Sequence, residues 1–386
     1  MISKKTTPKE PSRITHEGCC ISFQPLPEFS LWDRMKDRRA LYSFDLEITA
    51  RCNNDCRHCY INLPVGDRAA REKELSVAEI GNIAGQAVKL GALWCLISGG
   101  EPLLRPDFAE LYLVLKRQGL LVSVFTNATL VNEAHIALFK KYPPRDIEVT
   151  VYGVTPETYE RVTRQPGTFA KFRRGLNLLM ESGIPVRLKA MAIQSNLAVQ
   201  AAIAAFCRAH TKDFFRFDPQ LHLRFDGDPG RNAEIRAERL TPEQIIALEQ
   251  ADGERLQALQ KSCAKLAGEG LTPCGCDHLF HCGTGNGSFS VSYDGRFRLC
   301  SSLWAEGTTF DLRSGTLAEA WLNFVPRIRG CRSQRQEFLE SCCKCALLNL
   351  CEWCPARAHL ETGALDGTTP YYCAVAHARA QMLRSG

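Results

Sequence analysis

Between about Tyr42 and Phe225, short runs of alternating or β-prone residues recur between longer stretches of helical periodicity. The strand-like runs are Phe44 to Ile48, Trp94 to Ile97, Leu121 to Phe125, Ile147 to Val151, Val186 to Ile193 and Phe215 to Phe225. Each is separated from the next by enough chain for a helical crossover, so the pattern predicts six parallel strands. Helix starts are marked by Ser76 before Glu79, by Asp107 before Glu110, and by Thr155-Pro156 and Thr241-Pro242, where proline falls in the first turn. Such repeats form an α/β fold, either an open doubly wound sheet or a full or partial barrel. In each of these, ligands gather at the carboxyl ends of the strands.

From about Thr241 to Lys265 the periodicity predicts one long amphipathic helix. Beyond Cys274 the chain turns loop-rich, and Phe289 to Leu299 alternates around Asp294-Gly295, a two-residue hairpin signal. The pattern divides the chain into a polar, proline-containing arm (1–40), an α/β core (41–240), a linking helix (241–270) and a cysteine-rich region (271–386). Neither solenoid repeats nor low-complexity tracts interrupt it.

Composition narrows the class. Apolar residues make up 45% and charged residues 23%, as in ordinary folded proteins. No apolar run approaches the roughly 18 residues that span a bilayer, and no apolar segment follows the N-terminal lysines. A cytoplasmic protein without a membrane partner is expected. The formal charge of +6 on 386 residues does not suggest a nucleic-acid binder. The unusual number is 19 cysteines. Without a signal peptide these read as metal ligands rather than a disulfide framework.

Three of them follow the first strand, as Cys52-x3-Cys56-x2-Cys59. Three thiolates leave one coordination position open, unlike a closed structural zinc site, although His58 could supply a fourth ligand. The second strand runs into Ser98-Gly99-Gly100-Glu101-Pro102, which a parallel sheet places on the same rim. There the glycines allow close backbone approach and Glu101 can accept hydrogen bonds from an ammonium group.

This combination resembles the radical S-adenosylmethionine (SAM) superfamily, whose core is a partial (β/α)6 barrel. The resemblance implies that Cys52, Cys56 and Cys59 hold a [4Fe-4S] cluster whose free iron chelates SAM, with Gly99, Gly100 and Glu101 at the methionine amino end. It also implies reductive cleavage of SAM to a 5'-deoxyadenosyl radical that takes hydrogen from substrate. Asn127, Tyr152 and Arg164 sit where relatives contact SAM. Lys189 either faces the barrel interior, meeting a carboxylate, or is solvated at the rim.

The C-terminal spacing is Cys276-x5-Cys282-x17-Cys300, then Cys342-x2-Cys345-x5-Cys351-x2-Cys354-x18-Cys373. Pairs of Cys-x2-Cys also occur in zinc ribbons. Beside a radical SAM core the pattern resembles the loop-rich α+β SPASM extension, which carries two auxiliary [4Fe-4S] clusters. The resemblance implies Cys276, Cys282, Cys300 and Cys354 for one cluster and Cys342, Cys345, Cys351 and Cys373 for the other. Cys274 competes with Cys276, and Cys343 with Cys342. Cys354 departs from the family's spacing by one residue, with Pro355 able to tighten the turn. Eleven thiolates and three oxidised clusters would bring the formal +6 to about +1.

SPASM-type relatives mostly modify ribosomally made peptides or protein side chains. The resemblance therefore implies a peptide-modifying oxidoreductase, with a low-potential flavodoxin or ferredoxin as electron donor. The arm of 40 residues is short for a leader-binding domain, so a separate protein is expected to bind any leader. Ser301 stands where anaerobic sulfatase-maturing relatives have an aspartate base, which favours crosslinking, epimerisation or another oxidation over formylglycine formation. Asp218, Asp226 and Asp228 are candidate acid or base groups. A radical SAM enzyme acting on a tetrapyrrole or cofactor precursor shares this plan, and a non-enzymatic zinc-binding module is the alternative of another class.

Overall fold

The computed structural model describes residues 14–16, 19–21, 40–212, 215–266 and 277–384. All six expected strands are present: β1 (Ser43–Glu47), β2 (Trp94–Ser98), β3 (Leu121–Thr126), β4 (Asp146–Val151), β5 (Val186–Met191) and β6 (Arg216–Asp218). They pair in sequence order, each parallel to its neighbour. The sheet does not close, so the core is a partial (β/α)6 barrel. In the segment expected to form the sixth strand only Arg216–Asp218 pairs, because Pro219 lacks the N–H that would continue the ladder.

The crossover helices pack their apolar stripes on the outer face. In α1 (Val77–Lys89), Ile80, Ile83, Ala84 and Ala87 are buried at helical spacing, and the Ser76/Glu79 capping box closes its first turn. Thr155 and Thr241 cap α4 (Pro156–Thr163) and α8 (Pro242–Ala251), each with proline at the helix start. Asp107 precedes α2 (Phe108–Arg117) without capping it. Its carboxylate is instead taken by both ends of the Arg105 fork, at 2.8 and 2.6 Å.

The expected long helix is two helices, α8 and α9 (Gly253–Leu266). Asp252 leaves helical geometry (φ −106°, ψ 100°), and its carboxylate accepts from the Arg255 amide at 3.0 Å, starting the second helix. The rest of the expected linker, 267–270, and the start of the cysteine-rich region, 271–276, with Cys274 and Cys276, lie outside the described residues.

The cysteine-rich half joins the same sheet. Strand β7 (Ser288–Val291) runs parallel to β1, β8 (Arg296–Arg298) antiparallel to β7, and β9 (Phe310–Asp311) antiparallel to β8, giving nine strands in all. The β7–β8 hairpin turns through three residues rather than two. Gly295 donates to the Ser292 carbonyl and the Ser292 amide to Arg296, with Gly295 at φ +87°, the left-handed bulge position. Phe44 stacks on Phe289, and Phe289 on Phe297, making one core across the two halves.

Candidate radical SAM site and auxiliary cysteine sites

At the carboxyl end of β1 the chain pairs Arg51–Cys52 with Leu63–Pro64, closing the base of the cysteine loop. The loop is tied to α4 by the Asp55 amide on the Thr163 carbonyl (2.9 Å) and the Arg57 amide on Val162 (3.2 Å). Cys52, Cys56 and Cys59 all border a cavity of about 570 Å³ at the barrel mouth. Burial raises all three thiol pKa values; Cys59 adds to the rise of Cys52 and of Cys56, and Cys52 to that of Cys56, as thiols held close together do. The Asn54 amide N–H approaches the Cys52 sulfur at 3.4 Å, and the Asn127 side-chain amide lies 3.8 Å from it.

Ser98, Gly99 and Gly100 border the same cavity. The two glycines have a packing reason of their own. A Cβ on Gly99 would stand 2.2 Å from the Thr49 carbonyl oxygen, and one on Gly100 2.3 Å from that of Arg51. The Gly100 and Glu101 amides donate to these carbonyls at 2.7 and 3.0 Å. The glycines thus draw the second rim turn against the cysteine loop.

Glu101 is fully buried and does not border the cavity. Its carboxylate accepts from the Leu103 amide (3.1 Å), the Thr126 hydroxyl (2.7 Å) and the Asn127 amide (2.7 Å). Burial outweighs these bonds and pushes its pKa up to about 7. Arg164, at φ +53° after α4, is also away from the cavity lining. Its guanidinium bonds the Asp55 carbonyl at 2.8 Å and Glu234 at 2.7 Å, bracing the cysteine loop. Asn127 and Tyr152 do border the cavity, Tyr152 with its ring 5.3 Å from that of His58. Lys189 faces the interior, paired with Glu148 and lying 4.0 Å over the Phe125 ring.

Of the acid or base candidates, Asp218 borders the cavity. Asp226 is held by Arg224 at 2.6 Å, and Asp228 caps the helix Pro229–Glu238. Sequence reasoning passed over Asp45, which also borders the cavity, with burial pushing its pKa up to about 6. Its signal was visible: Asp45 and Glu47 alternate with Phe44, Leu46 and Ile48, two acids on one face of a buried strand. Glu47 is engaged by Arg298 of β8, both side chains fully buried, and Arg298 also donates to the Ser301 carbonyl and stacks 3.7 Å over Trp304.

The C-terminal thiols fall into two groups. Burial raises the pKa of Cys300, to about 11, and that of Cys354; the neighbouring Cys354 and Cys282 add to the rise of Cys300, and Cys282 to that of Cys354. Cys354 occupies the cap position of the helix Pro355–Thr362, its sulfur accepting from the Arg357 amide at 3.4 Å, so the shortened spacing still reaches Cys300. Cys342, Cys345, Cys351 and Cys373 line a second cavity of about 390 Å³. Cys342 borders it, whereas Cys343 is buried in the core. Among the described residues no three His, Cys, Asp or Glu side chains converge as one metal ion requires. The thiols ring spaces instead.

A parallel partial barrel with three thiols and a glycine-rich turn on one rim, extended by a cysteine-rich half, defines a class of enzyme. The sequence profile of the Radical SAM superfamily matches residues 46–194. A probable GTP 3',8-cyclase of Methanococcus maripaludis (strain C5) is 30% identical over 205 residues, 50% of this chain and 67% of that protein. Two relatives match over most of both chains. The PqqA peptide cyclase of Rhizobium meliloti (strain 1021) is 25% identical, over 79% of this chain and 82% of its own. The Fe-coproporphyrin III synthase of Methanosarcina barkeri (strain Fusaro) is 24% identical, over 82% and 83%. Streptococcus suis SuiB, solved bound to precursor peptide SuiA, has the same fold with a TM-score of 0.64 at 15% identity, covering 93% of this chain and 84% of SuiB. The chain spans 58 to 67% of the length of the first three curated relatives it matches. It belongs to the radical SAM superfamily of enzymes, with SPASM-like C-terminal cysteines, and membership implies a [4Fe-4S] cluster and SAM. A non-enzymatic zinc module is thereby set aside.

Proposed function

We propose that the chain is a radical SAM oxidoreductase that modifies a residue of a peptide or protein, by crosslinking, epimerisation or oxidation, as a maturase of ribosomally made peptides. One observation carries the reading: the Cys52, Cys56 and Cys59 thiols, the Ser98–Gly100 turn, Asn127 and Tyr152 border a single cavity whose wall is completed by Ser301, Arg357 and Arg379 of the cysteine-rich half. When bound, the clusters and SAM supply an electron, a 5'-deoxyadenosyl radical that takes hydrogen from substrate, and a route for the electron left behind.

The residues suit those groups. Cys52, Cys56 and Cys59 offer an all-sulfur donor set, and beside them the Asn54 side-chain carboxamide and His58 Nδ1 are buried polar groups with no protein partner. Gly99, Gly100, Asn127 and Tyr152 would border SAM. Glu101 and Arg164 act from behind, the first fixing the glycine turn to Asn127 and the second fixing the cysteine loop through Asp55. Cys276, Cys282, Cys300 and Cys354 would hold one auxiliary cluster, and Cys342, Cys345, Cys351 and Cys373 the other. A flavodoxin or ferredoxin would donate the electron, and a separate protein would bind a leader.

The second reading, a tetrapyrrole or other small-molecule substrate, is favoured by the match to Fe-coproporphyrin III synthase along most of the chain. Incubation of reduced, reconstituted enzyme and SAM with candidate precursor peptides and with iron coproporphyrin separates the two. A SAM-dependent change in a peptide is expected, read as a mass shift for a crosslink or oxidation and as uptake of one deuterium in D2O for an epimerisation. A change in the porphyrin with none in any peptide would overturn the peptide reading.

A further inference from the structure

Five residues lining the barrel cavity carry a buried side-chain polar atom that no protein group satisfies: Asn54, His58, Gln220, His222 and Arg255. Such atoms are rare in folded proteins, because each one left unmet costs about 1–3 kcal/mol. Their concentration on a cavity wall marks where a ligand supplies the missing partner. Asn54 and His58 belong to the cysteine loop. The other three come from the segment after β6 and from α9, outside the loops that hold the thiols.

The chemistry of this second group is one-sided. The Gln220 carbonyl oxygen is taken by Arg357 at 2.9 Å, leaving its Nε2 to donate. Arg255 Nε can only donate. His222 is kept neutral, with burial pushing its pKa down to about 3 and Arg357 and Arg239 adding to the effect, so the surrounding field is positive. Behind Arg255, two guanidiniums share one fully buried carboxylate, Glu249 meeting Arg379 at 2.7 Å and Arg255 at 3.3 Å. That triad carries one cation in excess, and both arginines border the cavity. The carboxylates bordering the same cavity are Asp45 and Asp218 in the strands and Glu352, which Arg357 approaches at 3.5 Å.

We propose that Gln220, Arg255 and Arg379 form a subsite for a carboxylate on the substrate peptide, either an acidic side chain or the C-terminal carboxylate. The proposal rests on the peptide reading above. Donors on residues that line the cavity, backed by an excess guanidinium, suit a carboxylate held by charge-assisted hydrogen bonds.

The test uses the full chain, reconstituted without oxygen, and short alanine-based acetylated peptides that differ at one position, Glu or Gln, and at the C-terminus, acid or amide. Binding is read by competition against a fluorescent Glu peptide. The neutral Gln amide should bind about tenfold or more weakly than one of the two carboxylate peptides, and whichever of those wins identifies the source. Arg255→Gln should bring that ratio close to one, Arg255→Lys should keep most of it, and Gln220→Leu should lower it. Cluster absorbance and the unfolding midpoint control for folding of the variants. Equal binding of the neutral peptide, or a ratio unchanged in Arg255→Gln, would overturn the subsite, whereas binding of a tetracarboxylate porphyrin in place of every peptide would overturn the peptide reading on which it rests. A retained carboxylate preference without any 5'-deoxyadenosine from SAM would instead sink the radical reading and leave the subsite standing.

Discussion

Single side chains at the rim do more holding than touching. Glu101 was expected at the methionine amino end, yet its carboxylate is enclosed by two backbone amides and the Thr126 hydroxyl. Glu101→Ala leaves those donors unmet and should cost about 2–4 kcal/mol in denaturant unfolding. Gly100→Ala drives a Cβ to within 2.3 Å of the Arg51 carbonyl oxygen, so the rim turn must move off the cysteine loop. Asp45 gives a pH signature. Its folded pKa of about 6 lies above the ordinary value of 3.8, so its protonated form stabilises the fold below about pH 4, and that contribution is lost as pH rises through 6. Asp45→Asn, measured against the parent at pH 5 and pH 8, should gain relative stability toward pH 8, by about 1–3 kcal/mol. An unchanged difference would mean that Asp45 is ordinarily solvated.

At the scale of elements, the strand pattern was legible because a buried parallel sheet needs β-prone runs and crossover helices need apolar stripes and caps. Ser76, Thr155 and Thr241 cap where local chemistry alone would put them. The expectation failed where another contact competes for the capping side chain. Asp107 is drawn off its helix by Arg105, whose guanidinium is fixed by the carbonyls of Ile48 and Leu75. The break between α8 and α9 turns on Asp252, which ends one helix and caps the next. The hairpin signal was sound but its length was not, since Asp294-Gly295 also suits a three-residue loop with glycine at the bulge. Gly295→Ala would place a Cβ 3.3 Å from Leu75 at φ +87° and should lower stability by about 1–2 kcal/mol. Because Cys300 lies two residues beyond β8, its iron content should fall as well.

For the whole molecule, the boundary read from composition crosses a continuous sheet. Strand β7 covers the edge of β1, and the buried Glu47–Arg298 pair joins barrel to hairpin, with Tyr60, next to Cys59, bonded to Glu47 at 3.4 Å. None of this was legible, because it depends on residues some 250 positions apart, 251 for the ion pair. Arg298→Met would strand a buried carboxylate and should cost about 3–5 kcal/mol, with both halves melting together. Separate melting transitions would show that the halves fold independently. The cysteine grouping, by contrast, came with the family resemblance, and the described members of each set lie near one another in the fold.

The most direct measurement is product analysis after anaerobic reconstitution, with the parent chain beside a variant in which Cys52, Cys56 and Cys59 are alanine. The parent should hold about twelve irons and twelve sulfides, the variant about eight of each, and only the parent should release 5'-deoxyadenosine from SAM under reduction. Zinc in place of iron at this site, or equal 5'-deoxyadenosine from both proteins, would contradict the account.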